Sequence, residues 1–269
     1  MVAGSFMNIT RMPRLSLMKD PSRSMGIGSI TKLLLETDSL RYRRLSESFF
    51  QAPHRFSSKV ASAALPLYLL QELIPKNQWG GLPNELNQWV PKRRLSFIAG
   101  RLCAEKALQQ LGLYTYVSRG LAGEPIWPSK VTGSITHTDE MAYAVVAPSI
   151  SPFGIGIDSE ACVNSESFRD ISQICCTHYE RTTHFSGRQN ELIATLLFSA
   201  KESLFKSIYH IVQRIVEFDE VEVLLLDWKL KRFCVSPKRD GPLKGLFPPV
   251  WGNFSVNCNV IHTSIQLSC

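Results

Sequence analysis

One stretch of seven residues, 154–160 (Gly-Ile-Gly-Ile-Asp-Ser-Glu), constrains the fold of this chain more than any other. Ile155 and Ile157 alternate with glycines, and this period of two predicts a short strand. Side chains two positions apart point to the same side of an extended backbone. Asp158 and Glu160 should therefore face one point in space at the carboxyl end of the strand.

Two carboxylates that lie so close repel each other unless a cation or a shared proton sits between them. Mg²⁺, a hard cation that prefers oxygen ligands, is the natural occupant of such a position. The alternative is an ordinary polar turn after an edge strand, because acidic residues are also common in loops. The stretch by itself leaves both interpretations open.

Two long helices are predicted on either side of this strand. The first begins at Pro91, which suits the first helical position, and stops at Gly112. Gly100 inside this helix is expected to permit close packing. The second is predicted to begin near Ser186, because residues 186–189 match a capping box. Core-facing residues then recur along it at helical spacing.

Charged residues on the two helices allow both a functional and a structural interpretation. Arg94 and Arg101 share a face of the first helix, and Arg93 lies roughly 80° away. Cations at a helix N-terminus oppose the macrodipole, and a bound anion would offset that cost; a solvated basic helix end is the alternative. On the second helix, spacing alone predicts a surface ion pair between Glu202 and Lys206.

The remaining pattern predicts strands with turns between them. Residues 133–137 and 141–147 read as a hairpin whose first strand ends in His137, and a lone histidine there is usually structural or solvated. From Phe218 onward, alternating apolar residues predict an antiparallel sheet. Residues 161–185 look irregular. Their cysteines and histidines (Cys175, Cys176, His178 and His184) lack a zinc spacing, so no metal cluster is predicted there.

Charge and cysteine content narrow the class of protein. With 30 Lys and Arg against 23 Asp and Glu, the chain carries a net charge of +7, which favours an anionic partner. Seven scattered cysteines and the lack of a secretory signal predict reduced thiols in a cytoplasmic protein. No apolar run approaches the roughly 18 residues of a membrane span. We expect a soluble protein.

The domain organisation predicted from composition has three parts. Residues 1–45 are basic without periodicity and read as a disordered extension or as sequence upstream of the true start. Residues 46–150 form an N-terminal half and residues 151–269 a C-terminal half that carries the candidate metal site. A nucleic-acid-binding arm at the N-terminus is an alternative use of the basic extension.

Several motifs in fixed order resemble the 4′-phosphopantetheinyl transferases, in particular the type that serves siderophore synthases. They are residues 133–137 (Gly-Ser-Ile-Thr-His), 154–160, and 198–206 (Phe-Ser-Ala-Lys-Glu-Ser-Leu-Phe-Lys), supported by 89–94, 100–101 and 124–128. The resemblance runs from about residue 50 to the C-terminus. It implies an α+β fold made of two similar α/β halves, related by a pseudo-twofold axis, with the cofactor in the cleft between them.

The resemblance also implies a reaction and a site. These enzymes move phosphopantetheine from coenzyme A to a serine of an acyl, peptidyl or aryl carrier protein and release adenosine 3′,5′-bisphosphate. Asp158, Glu160 and Glu202 would hold Mg²⁺, and Glu202 is also the implied general base. Lys206, with Lys201 close by, would stabilise charge on the phosphoryl oxygens. The implied coenzyme A contacts are those of Arg93, Arg101, Thr136 and His137, with Arg93 preferred over Arg94.

Three departures from the family pattern accompany the resemblance. Ala122 stands where relatives commonly carry a basic residue, and Arg119 or Lys130 could substitute for it. Ser96 replaces an acidic residue, and Ser159 replaces an aliphatic one between the two acids.

The resemblance also implies a client. A siderophore-type nonribosomal peptide synthetase is the expected one, with polyketide or polyunsaturated fatty-acid synthases as the next candidates. We expect a monomer with no nucleic-acid partner; association with a synthase complex stays open, as does an inactive relative that only binds coenzyme A.

Overall fold

The computed structural model describes residues 39–56, 60–73, 86, 88–149 and 154–267, with side chains from residue 43 onward. Most of the predicted basic extension lies outside these ranges, as does the predicted boundary between the halves at residues 149–152 except for Ser149. The elements follow in the order α1 Ser39–Glu47, β1 Ala61–Pro66, α2 Leu67–Leu73, α3 Pro91–Gln110, β2 Ser118–Arg119, β3 Pro125–Ile126, β4 Val131–His137, β5 Met141–Pro148, β6 Gly154–Ala161, α4 Ser165–Ile174, α5 His178–His184, α6 Asn190–Val212, a 3₁₀ turn Phe218–Glu220, β7 Val221–Asp227, β8 Arg232–Pro237, β9 Val250–Asn257 and β10 Val260–Leu267.

The N-terminal half packs one long helix on a three-stranded antiparallel sheet. The strand order is β1-β5-β4, and β4 and β5 form the predicted hairpin. Helix α3 begins at Pro91, as predicted, and lies across β1 and β5. Its buried face joins the apolar side of the sheet in one continuous core that includes Ile98, Leu108 and Leu65.

The C-terminal half repeats this arrangement with a larger sheet. Five antiparallel strands take the order β6-β10-β9-β8-β7, and α6 packs against β6 and β10. Leu196, Leu204 and Phe233 are fully buried in this second core. The α+β class and a helix-plus-sheet unit in each half are therefore confirmed, whereas the exact pseudo-twofold axis stays a prediction.

The two halves meet where β4 lies beside β6. Side chains rather than a backbone ladder join these strands: the Ile157 backbone N–H donates to Ser134 Oγ at 3.0 Å, and the Thr136 hydroxyl donates to Asp158 Oδ1 at 3.1 Å. Since β6 also contacts α6 and β10, the segment 154–160 joins the sheet of the N-terminal half to the helix and sheet of the C-terminal half.

Glycines set how closely these elements approach. A Cβ at Gly156 would fall on the carbonyl oxygen of Ser203 in α6, so only glycine allows the helix backbone to pack against β6 here. A Cβ at Gly100 would lie 2.7 Å from Ile135 Cγ2, which confirms the close packing predicted for that position.

Two sequence predictions about helices are wrong. Residues 161–185 are not irregular: Asn164 caps α4, and Thr177 with Glu180 forms a capping box for α5. Helix α6 begins at Asn190 rather than near Ser186, because the backbone of Gln189 takes a left-handed conformation (φ 57°) instead of capping the helix.

The predicted disordered extension is also too long, since α1 begins at Ser39. Leu45 on that helix is 4% exposed and packs into the N-terminal core, which explains why the segment is ordered. Among the described residues, no helix is both long and apolar enough to cross a membrane.

Candidate active site at the junction of the two halves

Asp158 is the centre of a charged cluster at the carboxyl end of β6. Its side chain is 3% exposed, and the Lys206 ammonium donates a hydrogen bond to its Oδ1 at 2.6 Å. Thr136 donates to the same oxygen, and Lys206 also reaches Thr136 Oγ1 at 3.4 Å. The second oxygen, Oδ2, is buried and has no hydrogen-bond partner among the described residues. One buried acceptor oxygen of the cluster is thus unsatisfied by the described residues.

Glu160 and Glu202 bring two further carboxylates to the same place. Burial raises the pKa of Glu160 to about 9, and the negative charge of Asp158 adds to the rise. Burial likewise raises the pKa of Glu202 to about 7, with Lys206 opposing the shift and Asp158 reinforcing it. Three acidic groups therefore share one region with a single lysine. Burial, reinforced by the negative charge of Asp158, disfavours the ionised forms of Glu160 and Glu202.

Lys206 joins this cluster instead of the surface pair predicted for it. Burial alone would lower its pKa, but Asp158 and Glu202 outweigh that effect and raise it, so the side chain stays charged. Its ammonium contacts Asp158 across the helix–strand interface that Gly156 makes possible. The predicted i,i+4 ion pair with Glu202 is therefore superseded by a contact between two elements.

His137 ends β4 with part of its side chain exposed to solvent, while its ring lies close to Lys206. Desolvation of the ring, followed by the charge of Lys206, lowers the pKa of His137, and we expect a neutral imidazole near pH 7. The hairpin turn next to it is tied to the start of α3 by an ion pair of 2.6 Å between Lys92 and Asp139. This contact links the basic end of α3 to the hairpin that carries His137.

The arginines of α3 face a second cluster, built on aromatic rings. The guanidinium carbon of Arg93 lies 4.8 Å from the centroid of the Trp89 ring, and that of Arg101 lies 4.8 Å from the Phe97 ring. Arg119 from β2 also lies over Trp89, at 5.5 Å. Arg94 instead donates to the backbone carbonyl of Trp89 at 3.1 Å, which favours the choice of Arg93 over Arg94 as the residue that faces a ligand.

Lys201 is the predicted site residue that the structure does not bring to the cluster. Its side chain is fully buried, and its ammonium donates to Glu180 Oε2 and to two backbone carbonyls, those of Cys175 and Phe218, each at 2.8 Å. These acceptors saturate the ammonium. The predicted contact of Lys201 with coenzyme A is wrong for this reason, and its role here is to hold α5 and the 3₁₀ turn against α6.

A polar network under Asp158 was not predicted. Ser159 Oγ lies 3.1 Å from His54 Nε2 and 2.9 Å from His262 Nδ1. His54 Nε2 is also 3.1 Å from the backbone carbonyl oxygen of Asp158, and because a carbonyl only accepts, this nitrogen must carry the proton. The Ser159 hydroxyl can then donate to His262. No local pattern could reveal this network, since it joins three distant segments.

Whether these carboxylates could hold a metal depends on their spacing as well as their charge. Within the ranges that the structure describes, no group of three His, Cys, Asp or Glu side chains is gathered closely enough to count as a metal site. The donor chemistry nevertheless suits a hard cation: the oxygens belong to carboxylates, and Asp158 Oδ2 has no partner among the described residues. Burial raises the pKa values of Glu160 and Glu202, and the negative charge of Asp158 adds to both rises. A divalent cation would supply the missing positive charge.

Comparison with known proteins places both halves in one family. Residues 82–147 match the 4′-phosphopantetheinyl transferase N-terminal domain, and residues 154–241 match the 4′-phosphopantetheinyl transferase superfamily. The chain is 33% identical over 160 residues to enterobactin synthase component D of Escherichia coli (strain K12), which covers 54% of this chain and 75% of that protein.

Two other relatives carry the family name itself. The chain is 34% identical over 160 residues to the 4′-phosphopantetheinyl transferase Svp of Streptomyces mobaraensis, covering 58% of this chain and 64% of that protein. It is 31% identical over 138 residues to PptT of Mycobacterium tuberculosis (strain ATCC 25618 / H37Rv), covering 50% and 59%. With matches across both halves and three-quarters of a relative covered, the chain belongs to the 4′-phosphopantetheinyl transferase superfamily.

Proposed function

We propose that this protein transfers the 4′-phosphopantetheine group of coenzyme A to a serine of an apo carrier protein in a Mg²⁺-dependent reaction. The observation that supports it best is the cluster of Asp158, Glu160 and Glu202 around Lys206, in which negative charge exceeds positive charge. The cluster lies where the two halves meet, beside Thr136 and His137, so a ligand there can contact both halves.

Asp158, Glu160 and Glu202 would hold the Mg²⁺ ion together with the pyrophosphate of coenzyme A. The bound ion supplies Lewis-acid stabilisation of charge on the phosphoryl oxygens. Few protein ligands are needed for such an ion, because Mg²⁺ commonly keeps waters and phosphate oxygens in its coordination shell. The carboxylates need not form a complete cage before coenzyme A binds, in line with their looser arrangement in the described residues.

Glu202 is the residue proposed to accept the serine proton, directly or through a water. Its pKa of about 7, raised by burial, suits a group that must be ionised to accept a proton near neutral pH. The serine oxygen forms a bond to the β-phosphorus of coenzyme A while the phosphoanhydride bond breaks. Adenosine 3′,5′-bisphosphate leaves with that electron pair, and Lys206 stabilises the charge that develops on the phosphoryl oxygens.

The nucleotide end of coenzyme A would contact the cluster of arginines and aromatic rings at α3 and β2. Arg93 and Arg101 are proposed to bind its 3′-phosphate and adenine end, and Thr136 and His137 its phosphates. Thr136 serves twice in this arrangement, because its hydroxyl already donates to Asp158 and fixes that carboxylate. Lys201 has no part in it, since its ammonium is saturated by protein acceptors.

For the client, we propose a carrier domain of siderophore synthesis of the enterobactin type, with polyketide or polyunsaturated fatty-acid synthases as alternatives. The support is the similarity to proteins named enterobactin synthase component D. Carrier proteins are usually acidic helical bundles, so the net charge of +7 would favour their docking. Reduced thiols and the need for coenzyme A fit a cytoplasmic monomer, alone or with a synthase.

The test is a transfer assay on the purified full chain. With coenzyme A, Mg²⁺ and an apo aryl or peptidyl carrier domain, mass spectrometry should detect one added phosphopantetheine group on the carrier. Glu202→Ala should abolish the addition, whereas the exposed Arg188→Ala should not change it. Equal transfer by Glu202→Ala would overturn the assignment of the site, and no transfer to any of several carriers would overturn the function.

Two other outcomes identify the alternatives. Tight binding of coenzyme A without transfer would indicate an inactive relative. Salt-dependent binding of DNA or RNA that disappears when residues 1–45 are removed would instead support a nucleic-acid-binding arm. Comparing rates on siderophore, polyketide and fatty-acid carrier domains tests the proposed pathway separately from the reaction.

A further inference from the structure

The starting observation is a buried cation with free hydrogen-bond donors. Arg101 is 4% exposed, and its Nε and Nη2 have no hydrogen-bond partner among the described residues. Burial lowers its pKa to about 10, and the positive charge of Arg119 lowers it further, against the opposing charges of Glu105 and Glu124. Unsatisfied donors of a buried charge cost free energy unless a ligand pairs with them. The ligand here must accept hydrogen bonds and be compatible with the second positive charge, that of Arg119.

Arg119 occupies a defined position next to this donor set. It lies on β2, and its guanidinium carbon is 5.5 Å from the centroid of the Trp89 ring, the same ring that carries Arg93. A Cβ at Gly123 would lie 3.3 Å from Arg119 Nη2, so glycine leaves room for the guanidinium. Gly123 also has a φ of 96°, which other residues rarely adopt. The side chain therefore lies against the turn that joins β2 to β3.

By the family resemblance, a basic residue is expected in this turn, where the chain has Ala122. The guanidinium of Arg119 lies close to the neighbouring Gly123. Lys130, the other candidate substitute, is exposed in the turn before β4, where its own backbone has a φ of 62°. Arg119, by contrast, acts on Arg101 through its charge, and its guanidinium lies over the Trp89 ring.

We propose that Arg119 replaces the missing basic residue and completes a three-arginine site for the 3′-phosphate of coenzyme A. The inference rests on the proposed function. A phosphate monoester is a dianion with several acceptor oxygens, and planar guanidinium groups match it well. Arg101 contributes hydrogen-bond donors from the buried side of the site. Arg93 on α3 and Arg119 on β2, which both lie over the Trp89 ring, contribute positive charge.

The test measures discrimination between coenzyme A and 3′-dephospho-coenzyme A, using calorimetry on the full chain. The unsubstituted protein should bind coenzyme A more tightly. Arg119→Ala should weaken coenzyme A binding by about 10- to 100-fold, the usual range for a charged hydrogen bond, with little change for the dephospho compound. Lys130→Ala is the matched control and should keep the full preference.

A second variant guards against simple misfolding. Ala122→Arg, added to Arg119→Ala, should restore most of the preference for coenzyme A, which a merely structural role for Arg119 would not allow. Should Arg119→Ala fail to fold, Arg119→Gln keeps the shape without the charge. If Arg119→Ala or Arg119→Gln retains the full preference, or Lys130→Ala loses it, this inference is overturned while the proposed function stands. If the unsubstituted protein binds neither compound and transfers nothing, both fall.

Discussion

Helix α6 carries two lysines that each pair with a carboxylate, and the two pairs differ in one respect that separates structure from function. Lys201 and Glu180 are both fully buried, and every acceptor and donor around them is matched. Lys206 and Asp158 are joined at a similar distance, but the lysine side chain is 29% exposed, and Asp158 Oδ2 has no partner in the part of the chain that the structure describes. In the first pair both carboxylate oxygens accept hydrogen bonds, whereas in the second one carboxylate oxygen can still bind a ligand.

The surroundings of the two pairs explain this difference. Glu180 accepts from the backbone N–H groups of Thr177 and Val223 as well as from Lys201, so its charge is fully compensated. Around Asp158, two further carboxylates add negative charge that Lys206 alone does not balance. Burial, and after it the negative charge of Asp158, raises the pKa of Glu160 to about 9. A saturated pair stabilises the fold, and an unsaturated one is available to a cation and a phosphate.

The largest effect on stability is expected for Lys201→Met. This change leaves the Glu180 carboxylate buried without its cation, which should cost about 3–5 kcal/mol in the free energy of unfolding. Thermal melting measures the loss, and a second change, Glu180→Gln, should recover part of it. A melting temperature within the error of the original protein would contradict the interpretation of this pair as structural.

Lys206→Met should affect the reaction more than the fold. Removing a charge that stabilises developing negative charge on phosphoryl oxygens is expected to slow transfer by about 10²–10³-fold. The loss of stability should be smaller than for Lys201→Met, because the side chain is partly exposed and the carboxylates can share a proton. Carrier modification followed by mass spectrometry measures the rate, corrected for the folded fraction in both variants. Equal slowing by the two variants would remove the distinction between the pairs.

The polar network of His54, Ser159 and His262 under Asp158 should make the free energy of unfolding depend on pH. The pair of Lys201 and Glu180 should not have this effect. Burial lowers the pKa of His54 to about 3 and that of His262 to about 4, so the unfolded chain takes up these protons first. Stability should be complete above about pH 6.5 and fall as the pH drops towards 4, by about 2 kcal/mol for each histidine between pH 7 and pH 5.

Chemical denaturation at several pH values tests this dependence. His262→Asn keeps an acceptor for the Ser159 hydroxyl but cannot titrate, so its stability should decline less steeply on acidification than that of the original protein. The same slope in both proteins would show that these histidines do not remain neutral in the fold.

The sequence predicts local features of the site well and long-range ones poorly. The alternation in 154–160 identifies β6, and its glycines prove to be the reason that α6 can approach it. The signals for α4 and α5 were local too: Asn164 and the pair Thr177 and Glu180 are capping residues, but scattered cysteines and histidines obscured them. These capping residues are sufficient to predict the start of each helix.

Other features depend on contacts that no local pattern encodes. Helical spacing cannot tell that Lys201 faces α5 while Lys206 faces β6, since that depends on the rotation of α6 against the sheet. The network of His54, Ser159 and His262 joins three segments that only the folded chain brings together. The family resemblance supplied the grouping of Asp158 with Glu202 because it carries information about the tertiary fold.

The smallest predicted effect is a gain in stability from Glu160→Gln. The folded chain holds a proton on Glu160 up to a pKa of about 9, well above the ordinary value, so ionisation of this group costs stability as the pH rises. Glutamine removes that cost, and we expect a gain of about 1 kcal/mol at pH 8, or roughly 2–4 °C in melting temperature, with a smaller gain at pH 6. Transfer should fall at the same time if Glu160 holds the metal. A loss of stability at pH 8 would mean that Glu160 is compensated like Glu180, and the contrast between a saturated and an unsaturated carboxylate would no longer hold.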